Sequence, residues 1–153
     1  MIEISRIEIA QARIVAELWD RKCREVVDGG PLTDRGLANI DRMLQVASFH
    51  HETIGLVAAD GATILGFVVA RFDPGDGLLP HQAGELQELY VVPGARNRGL
   101  NAELAAAAVA WLRLRGAQTI RTLVCADNHE SREFWERQGF TPDMVCLSLY
   151  QGD

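Results

Sequence analysis

At 153 residues, with 48% hydrophobic and 24% charged side chains, the chain has the length of one globular domain and the composition of a folded protein rather than a disordered one. Its formal net charge of −6 argues against a broad basic face for nucleic acid. No apolar run approaches the roughly 18 residues needed to span a membrane, and the scattered Cys23, Cys125 and Cys146 match neither a disulfide frame nor a zinc-ligand spacing. The opening MIEISRIEIAQAR lacks a basic start followed by an apolar stretch, so a cytoplasmic protein with reduced thiols is expected.

Residues 2–9 alternate apolar and polar with one slip, which predicts a first strand or its lead-in. From Ala10 to about Asp28, the residues Ile14, Val15, Leu18, Trp19 and Val26 recur at helical spacing, and Gly29-Gly30-Pro31 stops the helix. Thr33 caps a second helix whose buried stripe is Leu37, Ile40, Met43, Leu44 and Ala47. Thr53–Ala59 and Thr63–Arg71 read as a hairpin turning at Asp60-Gly61. A loop at 73–77 precedes a strand over Glu85–Val92, which Pro93-Gly94 ends.

Gly99–Arg115 is the strongest helical segment, with Leu100, Leu104, Ala108, Trp111 and Leu112 on one face and Gly116 at its end. Thr119–Ala126 reads as a buried strand, with Cys125 as a small buried side chain near its end. Asn128–Gln138 reads as a short helix closed by Gly139, and Met144–Tyr150 as a last strand. The order predicts a mixed α/β (α+β) single domain over 1–153, without linker or repeat.

The segment from Leu89 to Leu104 carries chemistry. A strand runs into a basic, glycine-containing turn, and the turn opens directly into the long helix. The first N–H groups of a helix lack internal partners, and the aligned peptide dipoles place roughly half a positive charge there. Flanked by Arg96 and Arg98, such an end is a cradle for phosphates. Gly99 lets backbone approach the anion closely. Taken alone, the same pattern fits two solvated arginines at a bend. Neither a Walker loop nor the dinucleotide G-x-G-x-x-G occurs.

A second segment follows the next strand: Asn128, Ser131, Phe134, Trp135, Gly139 and Phe140. Together with Arg96, Gly99 and Asn101 after Val91-Val92-Pro93, it resembles the GNAT family of N-acetyltransferases. That family reads [RQ]-x-x-G-x-[GA] after a V-x-P strand end, then N-x-x-[AS]-x-x-[FL]-Y-x-x-x-G-F. The resemblance covers about residues 53–140 and includes Leu65-Gly66-Phe67, similar to the family's I-x-G-F strand. It implies a mixed sheet of about six to seven strands with about four helices, and acetyl-CoA as cofactor. The implied reaction is direct attack by a primary amine of a small molecule, peptide or protein, with no metal.

By the same resemblance, the strand before the turn splays from its neighbour, and backbone groups of Tyr90, Val91 and Val92 pair with the pantetheine arm. Backbone from Asn97 through Gly99 and Leu100 to Asn101, with Arg96 and Arg98, holds the pyrophosphate. Asn128 reaches the arm, Ser131 belongs to the same motif, and Phe134 and Trp135 pack along it. Trp135 stands where the family usually has a tyrosine acid, and an indole does not ionise at neutral pH. The thiolate then leaves unaided, or Ser131 or Tyr150 substitutes, or the chain is a non-catalytic CoA-binding or sensory module.

Glu88 and Glu85 are the candidate bases, with Glu88 preferred. Their odd separation places them on opposite faces of a regular strand, unless a bulge intervenes. His81 is a candidate substrate contact, and His50-His51 lacks partners at a metal-ligand spacing. Elements at about 10–50 and 73–82 form the acceptor side, which holds Trp19 and Phe49 and whose acids Asp28, Asp34, Asp41, Asp73 and Asp76 hint at a cationic amine. An exposed end strand at Met144–Tyr150 would offer a homodimer contact.

Overall fold

The computed structural model describes residues 1–26, 29–77 and 81–152; Asp28, one of the acceptor-side acids, lies outside them. The chain forms two compact units, residues 1–123 and 124–153. The first contains β1 (Ile2–Arg6), α1 (Ala12–Glu25), α2 (Asp34–Ala47), β2 (Thr53–Asp60), β3 (Thr63–Asp73), β4 (Ala83–Val91), α3 (Leu100–Arg115) and β5 (Thr119–Thr122). The second contains α4 (His129–Arg137).

Most elements follow local rules. Thr33 Oγ1 accepts from the Gly36 N–H at 3.0 Å and fixes the start of α2. Gly61 turns the β2–β3 hairpin with φ +59°, and Gly116 ends α3 with φ +104°. The sheet runs β1-β2-β3-β4-β5, with β4 and β5 parallel and the other pairs antiparallel. One face carries α1 and α2 on a core of Ile7, Val15, Leu44, Val57, Phe67, Val69 and Tyr90. Trp19 stacks on Phe67 at 5.8 Å between ring centroids. The other face packs on Leu100, Leu104, Ala108 and Leu112 of α3.

The architecture is the expected mixed α/β one with four helices, but the described sheet has five strands rather than six to seven. β5 keeps only four paired residues, so the strand expected through Ala126 stops at Thr122, and Cys125 is exposed rather than buried. Residues 141–152 form no strand, and Met144, Val145, Leu147, Leu149 and Tyr150 are exposed. An apolar run supplies strand propensity, but propensity alone does not make a strand.

Glycines let the α3 face close. A Cβ at Gly66 would lie 2.7 Å from the Tyr90 carbonyl oxygen, and one at Gly84 would lie 2.8 Å from Leu112. The Gly66 clash is with backbone, which has little room to yield. Gly66→Ala is therefore expected to destabilise the fold by about 1–3 kcal/mol, read as a lowered urea midpoint with an unchanged m-value.

Candidate functional site

The site is built on β4. Along β3 and β4 the register runs Gly66↔Val91, Phe67↔Tyr90, Val68↔Leu89, Val69↔Glu88, then Ala70↔Leu86 and Arg71↔Glu85. Gln87 is the extra residue of a bulge. Val69 and Arg71 are two apart on β3 and share a face, so their partners Glu88 and Glu85 share it too. The opposite-face expectation for a regular strand does not hold, because the strand is not regular. Both carboxylates point to the face that carries α1.

The bulge coincides with a second break. β4 pairs with β5 only from Ala83↔Thr119 to Leu86↔Thr122, and beyond Leu86 its outer edge has no strand partner among the described residues. The Val92 N–H donates to Leu65 O of β3 at 2.9 Å. Strand backbone alternates direction, so Val91 and Leu89 present their N–H and C=O groups to the unpaired edge, whereas Tyr90 and Val92 face β3. The Val91 carbonyl already accepts from Arg96 Nε at 2.9 Å.

β4 leads into the turn at 96–99. Asn97 (φ +67°) and Gly99 (φ +77°) both adopt left-handed backbone, a geometry that turns successive N–H groups toward one concavity. Asn97, Arg98, Gly99 and Asn101 are exposed, and Leu100 anchors the start of α3 in the core. Among the described residues, the N–H groups of 97–101 donate to no acceptor. The next one, Ala102 N–H, donates to Asn101 Oδ1 at 3.0 Å. These unpaired donors at a sixteen-residue helix start fit a pyrophosphate.

Arg96 is engaged elsewhere. Besides Val91 O, its guanidinium meets Glu25 Oε2 at 2.7 Å and lies 5.5 Å from the Tyr90 ring centroid. Tyr90 O–H donates to Glu25 Oε1 at 2.6 Å. Burial opposes the Glu25 charge, but the hydrogen bonds from Tyr90 and Arg96 outweigh it and hold its pKa below the ordinary carboxylate value. Burial first, then the Glu25 hydrogen bond, pushes the Tyr90 phenol up to about 12. On the same face Lys22, the sole lysine, forms an ion pair with Glu88.

Sequence reasoning missed Lys22 and Glu25. The available signal was position, since both continue the stripe of Val15, Leu18 and Trp19 at helical spacing, where a charged residue needs a partner. Glu85 is half-buried, and its side chain has no hydrogen bond or ion pair among the described residues. His81 is exposed, with Nε2 3.3 Å from Thr119 Oγ1. His50 stacks on His51 at 4.6 Å, and its Nδ1 accepts from the Glu52 N–H.

The sequence matches the acetyltransferase (GNAT) family over residues 15–140. The chain belongs to that family. A mycothiol acetyltransferase from Beutenbergia cavernae is 39% identical over 82 residues, which is 48% of this chain and 28% of that protein. The chain thus spans well under half the length of that relative. An acetyltransferase structure from an Arthrobacter species is 27% identical, with TM-score 0.74, covering 99% of this chain and 94% of that one. The aminoglycoside N-acetyltransferase AAC(6')-Iy, solved with a CoA bisubstrate analogue, shares the fold at 19% identity and TM-score 0.76, covering 99% of both chains. Membership brings the GNAT cofactor, acetyl-CoA.

The second GNAT motif lies in the second unit. Asn128 caps α4, accepting from the Ser131 N–H at 3.1 Å. The Trp135 ring is buried, edge-on to Phe134 at 4.9 Å and to Phe140 at 5.2 Å. Tyr150 is exposed.

The raised Tyr90 pKa makes the fold sensitive to alkali. Its contribution is complete below pH 10, the ordinary phenol value, and is lost as pH rises through about 12. Tyr90→Phe removes both the hydrogen bond and the titration. The stability gap between wild type and this variant should therefore narrow from pH 8 to pH 11 in urea unfolding; a constant gap would place the phenol outside this network.

Proposed function

We propose that the chain is an acetyl-CoA-dependent N-acetyltransferase that moves an acetyl group to a primary amine by direct attack in a ternary complex. The observation that carries this reading is the unpaired β4 edge beyond Leu86 leading into unpaired N–H groups at 97–101. An extended arm with amides and a pyrophosphate at one end matches those two features in order. When bound, acetyl-CoA supplies the acyl group as a thioester. The family match across both compact units supports one acyltransferase domain over 1–153.

In this reading, backbone of 97–101 and the Arg98 side chain hold the pyrophosphate, while Arg96 braces the end of β4 against α1. The edge groups of Leu89 and the Val91 N–H hold the arm. An acceptor amine is mostly protonated near pH 7, since a lysine-like amine has a pKa of about 10.4, and must lose a proton before attack. Glu85 takes that proton. Glu88 shares its face but is committed to Lys22, and an adjacent ammonium weakens a carboxylate as a base. No acid is assigned: a thiol of pKa about 8.5 leaves without one, and Trp135 offers only an indole. The exposed run Met144, Val145, Leu147 and Leu149 supports pairing with a second copy.

Trp135 favours a second reading, a CoA-binding module without turnover. Thiol release from acetyl-CoA across a panel of amines, beside a CoA thermal shift, separates the two. Release with at least one amine supports the enzyme; stabilisation by CoA without release from any amine supports the module. Glu85→Gln is expected to lower kcat by about 10²- to 10⁴-fold, the usual worth of a general base, with the CoA-induced shift in Tm retained. Glu88→Gln is expected to keep most of kcat and to cost about 1 kcal/mol of stability through the orphaned Lys22.

A further inference from the structure

Where the pairing of β4 and β5 ends, a cavity of about 200 Å³ opens among Arg71, Asp73, Glu85, Arg121 and Leu123. The register explains its chemistry. Arg71 of β3 lies opposite Glu85 of β4, and Glu85 lies opposite Arg121 of β5, so one cross-strand row reads Arg–Glu–Arg. The row shares the α1 face with Glu88.

Directly opposed residues have Cβ atoms about 4.5–5.5 Å apart, near enough to pair. Neither Arg71 nor Glu85 has a side-chain hydrogen bond or ion pair among the described residues. Asp73, on the next row, is committed to its own turn, accepting from the Gly75 N–H at 2.9 Å. Glu85 is thus a cavity carboxylate with no cationic partner among the described residues, directly opposite the Arg71 guanidinium.

A polycation suits such a site badly. Its ammonium would reach Glu85, but a second positive charge held beside that contact would meet the Arg71 guanidinium directly opposite. A zwitterion satisfies the row: the ammonium meets Glu85, and a carboxylate takes the planar fork of a guanidinium, which matches it with two hydrogen bonds. Neighbouring strands are about 4.8 Å apart, so the two charges of the ligand are separated by one short step. At roughly 30 Å³ per water, the cavity holds a solute of a few heavy atoms.

We propose that the acceptor is a small zwitterionic amine, a free amino acid whose ammonium faces Glu85 and whose carboxylate is held by Arg71. This rests on the acetyl-transfer reading with Glu85 as base. Glu85 accepts one proton from the ammonium, and the freed nitrogen attacks the thioester carbonyl carbon. The C–N bond forms, the C–S bond breaks, and the electron pair leaves with the thiolate, while the acceptor carboxylate is unchanged. The product amide carries no positive charge for Glu85 to hold, which favours its release.

The test is steady-state thiol release with a panel of free amino acids, each beside its carboxamide and its decarboxylated amine, with spermidine and an aminoglycoside included. The best amino acid is expected to exceed its own amide by about 10- to 100-fold in kcat/KM, the worth of a charge-assisted contact. Arg71→Gln should collapse that ratio mainly through KM, and Arg71→Lys should restore part of it. Equal use of acid and amide, or preference for spermidine or the aminoglycoside, overturns the proposal while leaving acetyl transfer standing. No release from any acceptor, with CoA still raising Tm, overturns acetyl transfer itself and this proposal with it.

Discussion

One inserted residue, Gln87, reorders everything on β4. Without it, Glu85 and Glu88 would lie on opposite faces of the sheet, and one of them would be buried against α3. With it, Leu86 and Gly84 pack under α3 beside Leu89 and Val91, while Glu85, Glu88 and Tyr90 all face α1. β4 also parts from β5 at the same level, after Leu86. Bulges increase the local twist of a strand, so the irregularity that collects the carboxylates also accompanies the loss of pairing. An unpaired strand edge is ordinarily a liability. Here it runs into a helix start whose first N–H groups have no acceptor among the described residues, the two features on which the proposed cofactor reading rests.

The charges on that face are sorted by α1. Glu25 ties Tyr90 and Arg96, and Lys22 ties Glu88, so the upper part of β4 is braced and electrostatically closed. Arg96 shows why a motif position and a role are different things. The arginine opens the turn, yet its guanidinium meets the Val91 carbonyl and Glu25 of α1. Glu85, three residues before Glu88 and below the bulge, escapes this closure and meets the open cavity instead.

Local patterns carried most of the fold. The Thr33 cap, the Asp60-Gly61 turn, the αL glycines at 99 and 116 and the two apolar helix stripes are decided by residues within a few positions of one another. What local pattern could not supply was partnership. The run Met144–Tyr150 has the composition of a strand but does not form one, and Thr119–Ala126 pairs only as far as Thr122. The bulge at Gln87 left only the odd spacing of two glutamates as a trace. The contacts of Glu25 with Tyr90 and Arg96 join residues 65 and 71 positions apart, beyond the reach of any short motif.

In the proposed reading, β4 above Leu86 and the turn at 97–101 form one continuous cofactor surface. Titrating CoA into 15N-labelled protein while following backbone amides tests it directly. The largest shifts are expected at Leu89, Val91 and Asn97–Asn101, with Ala83–Leu86, where β4 is paired, nearly unmoved. Shifts centred elsewhere, or none with saturating CoA, would contradict it.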